Sequence, residues 1–258
     1  MRSPVLTITP IKGIPFIQPG DDMAGIILGA LARMNLSLLE GDILVVTSKI
    51  VSKAEGRWVN LVEVQPSPAA TQLAEQAGKD PRLVELILGE SSQVLRCKPG
   101  TIIVEHRLGF VCANAGIDHS NVRGAANPEE DWVLLLPENP DASARRLRQC
   151  LEARSATRIG IMIVDSHGRA WRLGTVGIAI GLAGMPGLVD LRGKPDLFGY
   201  SLQITQVGAA DELAAAASLM MGQAAEATPV AHVRGFPYAL RNGSLRELLR
   251  PREEDLFR

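Results

Sequence analysis

Apolar positions along this chain follow two spacings, an alternation of period two and a recurrence near 3.6, and the two exchange irregularly from one segment to the next. Residues 3–9 alternate as a strand should, and Pro10-Ile11-Lys12-Gly13-Ile14-Pro15-Phe16 then imposes an extended loop, because residues before proline avoid the helical region. Asp21 and Asp22 read as caps of a helix whose apolar face is Ala24, Ile27, Leu28, Leu31 and Met34, ending before Gly41. Residues 42–47 form a short buried strand that leads straight into Ser48-Lys49-Ile50-Val51-Ser52-Lys53-Ala54-Glu55-Gly56.

Two helices are expected over 66–78 and 80–89, the second with Asp80 as cap and Pro81 at the first helical position. Strands follow at 93–96, 101–105, 109–113 and 132–136, and 139–154 is the longest amphipathic helix, capped at Asp141 or Ser143. A buried strand from Gly160 ends on Asp165 in a turn. Glycines at 174, 177, 181, 184 and 187 make the apolar segment 175–188 too glycine-rich for a helix and point to close backbone approaches in a sheet. A strand at 202–207, an Ala-rich buried helix at 209–221 and a strand at 230–234 precede Ser244-Leu245-Arg246-Glu247, a capping-box pattern that opens a short helix. Such irregular interleaving predicts an α+β fold of mixed, irregular sheets with flanking helices.

Composition narrows the function classes. The 258 residues suffice for one large domain or two small lobes, and with 46% hydrophobic but only 4% aromatic residues the core must rest on aliphatic packing. The net charge is −1 and no basic run exceeds Arg145-Arg146, which argues against a nucleic-acid partner. Cys97, Cys112 and Cys150 are widely spaced with no C-x-x-C, against a disulfide framework or zinc site and in favour of a reducing cytoplasm. Neither a signal peptide nor a membrane-spanning segment is expected.

Candidate chemistry centres on Asn114-Ala115-Gly116-Ile117-Asp118-His119-Ser120-Asn121 and on Asp165-Ser166-His167-Gly168-Arg169, both of which follow apolar strands. Asp118 with Asn121, and Asp165 with Ser166, offer the hard oxygens that Mg²⁺ or Mn²⁺ prefers, although the same residue types are ordinary turn formers. Lys49 and Lys53 stand after a buried strand where a phosphate could meet ammonium charge, or are simply solvated; no P-loop and no G-x-G-x-x-G occurs. His119 and His167 fit no ligand spacing and read as incidental, partly exposed histidines. Arg169 and Arg172 could clamp a carboxylate or phosphate, Cys112 is a small core residue, and the glycines are structural.

Taken together, Pro10-Ile11-Lys12-Gly13-Ile14-Pro15, the segment from Ser48 to Gly56, that from Asn114 to Asn121, Asp165-Ser166-His167-Gly168-Arg169, Gly193-Lys194-Pro195-Asp196-Leu197-Phe198-Gly199 and Met221-Gly222-Gln223 closely resemble, in order and spacing, the coenzyme F-420-0:L-glutamate ligase family. The resemblance implies GTP-dependent addition of L-glutamate, by γ-linkage, to a deazaflavin coenzyme precursor through an acyl phosphate. It implies two divalent cations, Mg or Mn, with a monovalent K ion as a further expectation, in a cytoplasmic homodimer. A single ligase domain over 1–258, with no nitroreductase-like C-terminal domain, is also implied. Asp118 and Asp165 would bind one metal, with Ser166 and Gln223 helping to bind the second. Ile14, Pro15, Phe16, Ile17, Ser48, Lys49, Lys53, Asn121 and the segment with Met221, Gly222, Gln223 and Thr228 would line the GTP site, Lys53 acting with the two aspartates in catalysis. Ser166 departs from a familiar Thr, Lys49 from a small hydroxyl residue, and Ala224-Ala225 from glycines. The rivals are a ligase of the same chemistry acting on a modified deazaflavin or another carboxylate, and a catalytically silent GTP-binding regulator.

Overall fold

Strand-forming stretches apolar on both faces build the centre of the molecule. A computed structural model describes residues 5–122 and 131–256. Its strands are β1 (Thr7–Pro10), β2 (Ile43–Thr47), β3 (Trp58–Asn60), β4 (Ser91–Lys98), β5 (Thr101–His106) and β6 (Val111–Ala113). They continue with β7 (Trp132–Leu134), β8 (Gly160–Arg169), β9 (Arg172–Ala183), β10 (Val189–Asp190), β11 (Gln206–Val207) and β12 (Val230–Arg234). The helices are α1 (Met23–Arg33), α2 (Ser48–Ala54), α3 (Pro68–Ala77), α4 (Pro81–Gly89), α5 (Pro140–Ser155) and α6 (Ala209–Met221). The fold is α+β: one five-stranded sheet of order β1-β12-β2-β8-β9, and smaller sheets β4-β5-β6, β3-β7 and β10-β11.

Within the large sheet only β2 and β8 run parallel; the other pairs are antiparallel. Alternation splits β2 between two cores. Leu44 and Val46 face the side that buries Ile27, Leu147 and Leu151, while Ile43 and Val45 face Leu213, Ala214 and Ala217 of α6. Both helix layers press close on β9, and its glycines answer to that. A Cβ at Gly181 would stand 2.5 Å from the Pro140 carbonyl carbon, and one at Gly177 2.5 Å from the Ser218 Cβ.

Helix starts follow the caps. Asp22 and Asp80 accept hydrogen bonds from the amides of Gly25 and Arg82. Helix α5 departs from expectation: Asn139 caps it, accepting from Ala142 N–H at 3.0 Å. Asp141 instead binds the Leu182 and Leu245 amides, and Ser143 donates to Glu55, so tertiary partners claim the two expected caps. The C-terminal capping box also fails. Arg241 and the amides of Gly187 and Leu188 draw Glu247 away, and only a 3₁₀ turn, Leu245–Glu247, forms. The strand expected over 202–207 shrinks to Gln206–Val207. The first residues of the expected strand 3–9 lie outside the described residues.

His106 ends β5 fully buried, stacked on Phe110 at 5.0 Å and accepting through Nδ1 from the Leu108 amide at 3.0 Å. Burial, the largest influence, pushes its pKa down to about 4. Unfolded chains take up a proton here near pH 6.5 and the folded protein only near 4, so acidification through that window should remove about 3 kcal/mol of stability. Urea unfolding at pH 7 and at pH 4.5 measures the loss. A His106→Gln variant should show the smaller difference between the two pH values.

Candidate functional site

The parallel pairing of β2 with β8 creates the first half of the site. Thr47 lies opposite Val164, so the next residues, Ser48 and Asp165, come side by side, and the Ser48 hydroxyl donates to Asp165 Oδ1 at 2.6 Å. Asp165 does not end its strand in a turn, as its neighbours suggest. Strand β8 continues to Arg169 and pairs Asp165 with Ile178 of β9, because the β8–β9 hairpin extends beyond the helices that cover its base. His167, two residues on and on the same face, is not a partly exposed residue but 5% exposed, with Nε2 2.9 Å from Asp165 Oδ2. Burial would raise the Asp165 pKa, yet His167, Ser48 and the Ser166 amide together hold it below the usual carboxylate range.

Asp118 arrives from the other direction. After β6 a 3₁₀ turn, Asn114–Gly116, with Asn114 and Ala115 at positive φ, reverses the chain, and Asp118 then exchanges two backbone hydrogen bonds with Leu134 of β7. Burial, then the charge of Asp165, pushes the Asp118 pKa up; Lys49, whose Nζ lies 3.3 Å from Asp118 Oδ2, opposes them. The two carboxylates therefore sense each other, although they come from distant segments. Lys49 also donates to the Ser120 carbonyl at 2.9 Å, and buried Lys53 to the Asn121 carbonyl at 2.8 Å. Lys53 lies over the Trp58 ring, and burial followed by the charge of Lys49 lowers its pKa. Both lysines come from α2, one turn apart, and both are held against the 118–121 segment by these contacts rather than left in solvent.

On the opposite face of β8, Ser166 donates to Gln223 Oε1 at 2.7 Å, and Gln223 donates to Ser218 of α6. Gly222 stops α6 with φ +77, a conformation that L side chains avoid, and turns the chain toward the 114–121 segment. Asn121 Nδ2 meets the Ala224 carbonyl at 3.3 Å, and Thr228 closes the turn on the Met221 carbonyl at 2.7 Å. The structure thus links Ser48, Lys49, Lys53, Asp118, Asn121 and Asp165, and joins Asn121 to the 221–228 loop. Ile14, Pro15, Phe16 and Ile17 bear no hydrogen bond to that group: Ile17 is buried, Phe16 is 90% exposed, and the loop instead meets the end of α2 through Gly20 N–H to the Ala54 carbonyl. His119 is exposed and paired with Asp131, and Arg172 is exposed. Burial, then the charge of Asp165, pushes the Cys112 thiol up to about 12, which leaves it inert.

Two carboxylates that sense each other, one of them held by the Ser48 hydroxyl, suit a small divalent cation, an ion that keeps waters and shares its remaining positions with phosphate oxygens. Among the described residues no group of three or more His, Cys, Asp or Glu forms a denser metal site. A sequence model described as F420-0:Gamma-glutamyl ligase matches residues 12–235. The chain belongs to that family. It is 48% identical over 256 residues, covering 98% of this chain and 99% of the relative, to the Coenzyme F420:L-glutamate ligase of Methanothermobacter thermautotrophicus. To those of Methanopyrus kandleri and Archaeoglobus fulgidus it is 45% and 41% identical, over 99% and 97% of this chain and 98% and 96% of the relatives. Membership of the F420-0:gamma-glutamyl ligase family makes the chain an enzyme, a ligase. No described helix is long and apolar enough to cross a membrane.

Proposed function

We propose that this ligase adds L-glutamate by γ-linkage to the deazaflavin coenzyme F420-0, and to forms already glutamylated, at the expense of GTP. The observation that carries the reading is the gathering of Asp118, Asp165, Lys49 and Lys53 at one place, in a chain nearly half identical to a Coenzyme F420:L-glutamate ligase over its full length. A carboxylate is a poor acyl donor, so the γ-phosphoryl group of GTP first passes to the terminal carboxylate of the coenzyme, giving an acyl phosphate and GDP. The neutral glutamate amine then attacks the acyl carbon, phosphate leaves with the bonding pair, and the nitrogen gives up one proton to solvent or to the departing phosphate.

Asp118 and Asp165, with Ser166 and Gln223 on the other face of β8, would hold the divalent cations. A divalent cation held there would neutralise charge on the reacting phosphates. Lys49 and Lys53 supply fixed positive charge from α2, and exclusion of water from the closed site would protect the acyl phosphate from hydrolysis. Incubation of the purified protein with GTP, Mg²⁺ or Mn²⁺, L-glutamate and F420-0, followed by mass spectrometry, tests the reading. Products heavier by one or more glutamyl residues are expected. GTP binding without turnover would mark a regulator instead.

Lys53→Ala should weaken GTP binding roughly tenfold or more, the value of a charge-assisted hydrogen bond, while L-glutamate binding changes little. Isothermal titration of each ligand reads the contrast, and equal losses would count against a nucleotide role. The homodimer has support in the excursion carrying β10 and β11. Asp196 Oδ1 accepts from the Phe198 and Tyr200 amides at 2.8 Å, and this turn offers Leu197 and Phe198 to solvent at 98% and 95% exposure. Sedimentation should show a dimer, and Phe198→Glu should shift it toward monomer.

A further inference from the structure

We infer that His167 is a positioning residue for Asp165, holding the carboxylate oxygen that Ser48 does not engage so that Asp165 presents a fixed face to a divalent cation. The inference rests on the metal reading above. Ser48 binds Asp165 Oδ1, and His167 Nε2 faces Oδ2 at 2.9 Å. That contact is close but not aligned as a hydrogen bond, and neither ring nitrogen of His167 has a hydrogen-bond partner although both are buried. An imidazole is a poor choice for filling space, since burying its nitrogens without partners is costly, and a leucine or methionine would pack there without that cost. What the polar ring adds is a nitrogen 2.9 Å from one carboxylate oxygen, close enough to hold it by charge and by a small turn of the ring.

The ring is also held in place. Phe110 packs against it with centroids 5.2 Å apart, and Phe110 in turn stacks on His106 at 5.0 Å with planes 10° apart. His167 and Asp165 share a face of β8, so the strand itself fixes their separation. This is the arrangement in which a neighbour orients a metal-binding group and sets its affinity.

Titration of the purified protein with Mn²⁺ alone, followed by the electron paramagnetic resonance of free Mn²⁺, tests the inference on four proteins: parent, Asp165→Asn, His167→Met and His167→Gln. Met and Gln have the same reach and differ in the polar end, so packing is common to both. Asp165→Asn should lose binding, His167→Met should bind about 10- to 100-fold more weakly than the parent, and His167→Gln should recover most of that loss. If the Met variant binds like the parent while Asp165→Asn does not, the inference falls and the metal reading stands. Equal losses in Met and Gln would make the role one of packing and also overturn it. Unchanged binding in Asp165→Asn would remove the metal reading and this inference with it. Should the Met variant not fold, His167→Asn, whose amide is too short to reach Oδ2, takes its place in the comparison with Gln.

Discussion

Asp165→Asn should yield a folded protein that incorporates glutamate on the order of a thousandfold more slowly than the parent. Asparagine matches aspartate in shape and still accepts the 2.6 Å hydrogen bond from Ser48, so the β2–β8 register need not change. What disappears is the full negative charge that Ser48, His167 and the Ser166 amide stabilise despite burial. Phosphoryl transfer offers a protein little covalent work, and most of its catalysis comes from placing charge; loss of an anchoring charge therefore falls on the chemical step. Initial rates by mass spectrometry, with the unfolding midpoint as a control, decide the matter. A variant within tenfold of the parent would show that Asp165 is not central to the chemistry.

Asp118 should respond differently. It is a third exposed and burial already raises its pKa, so on acidification it gives up its charge sooner than an ordinary aspartate would. Activity limited by an ionised Asp118 should therefore decline on acidification before that of Asp165, whose pKa is lowered, comes into play.

Local chemistry explains which parts of this arrangement could be read in advance. Caps at Asp22 and Asp80, the proline at the start of α4, and the two spacings of apolar residues are properties of short segments, and they appear where the sequence places them. The long-range partners were not legible. Ser166 to Arg169 are residue types found in turns, yet β9 pairs with them because the β8–β9 hairpin runs on past the part that α5 and α6 cover. His167 reads as incidental because the groups that bury it, Phe110 and Asp165, converge only in the fold. Ser48 and Asp165 are 117 positions apart, and only the parallel register brings them within 2.6 Å. Resemblance to a known family supplied the pair of aspartates as metal ligands; the residue types alone favoured turns.

Asp42 was legible only as the start of a strand, and it carries the largest stability effect expected of any single side chain here. It is 1% exposed, and its carboxylate accepts from the Leu39 amide at 2.8 Å, from His232 Nε2 at 2.7 Å and from Arg234 at 2.9 and 2.7 Å. Burial, the largest influence, raises its pKa; Arg234, His232 and the Leu39 amide together outweigh it and the pKa is lowered. The folded carboxylate thus keeps its charge to lower pH than the unfolded one, and its contribution is complete above the unfolded pKa and lost as pH falls through the folded one. Removing one member of a buried ion pair costs roughly 3–5 kcal/mol; partial exposure of Arg234 favours the lower end for Asp42→Ala. For a chain of this size 3 kcal/mol lowers the unfolding midpoint by roughly 6–12 °C, readable by calorimetry. Asp42 also fixes the start of the parallel pair, since its carbonyl accepts from the Gly160 amide at 2.9 Å, but Ser48 and Asp165 sit at the far end of that pair, beyond Thr47 and Val164. Below its unfolding range the variant should therefore keep a rate within a few-fold of the parent, because the pairing from Ile43 to Thr47 survives. A loss of activity as large as that of Asp165→Asn in still-folded Asp42→Ala would mean that the strand pair transmits strain to the site, and that stability and chemistry are not separate in this fold.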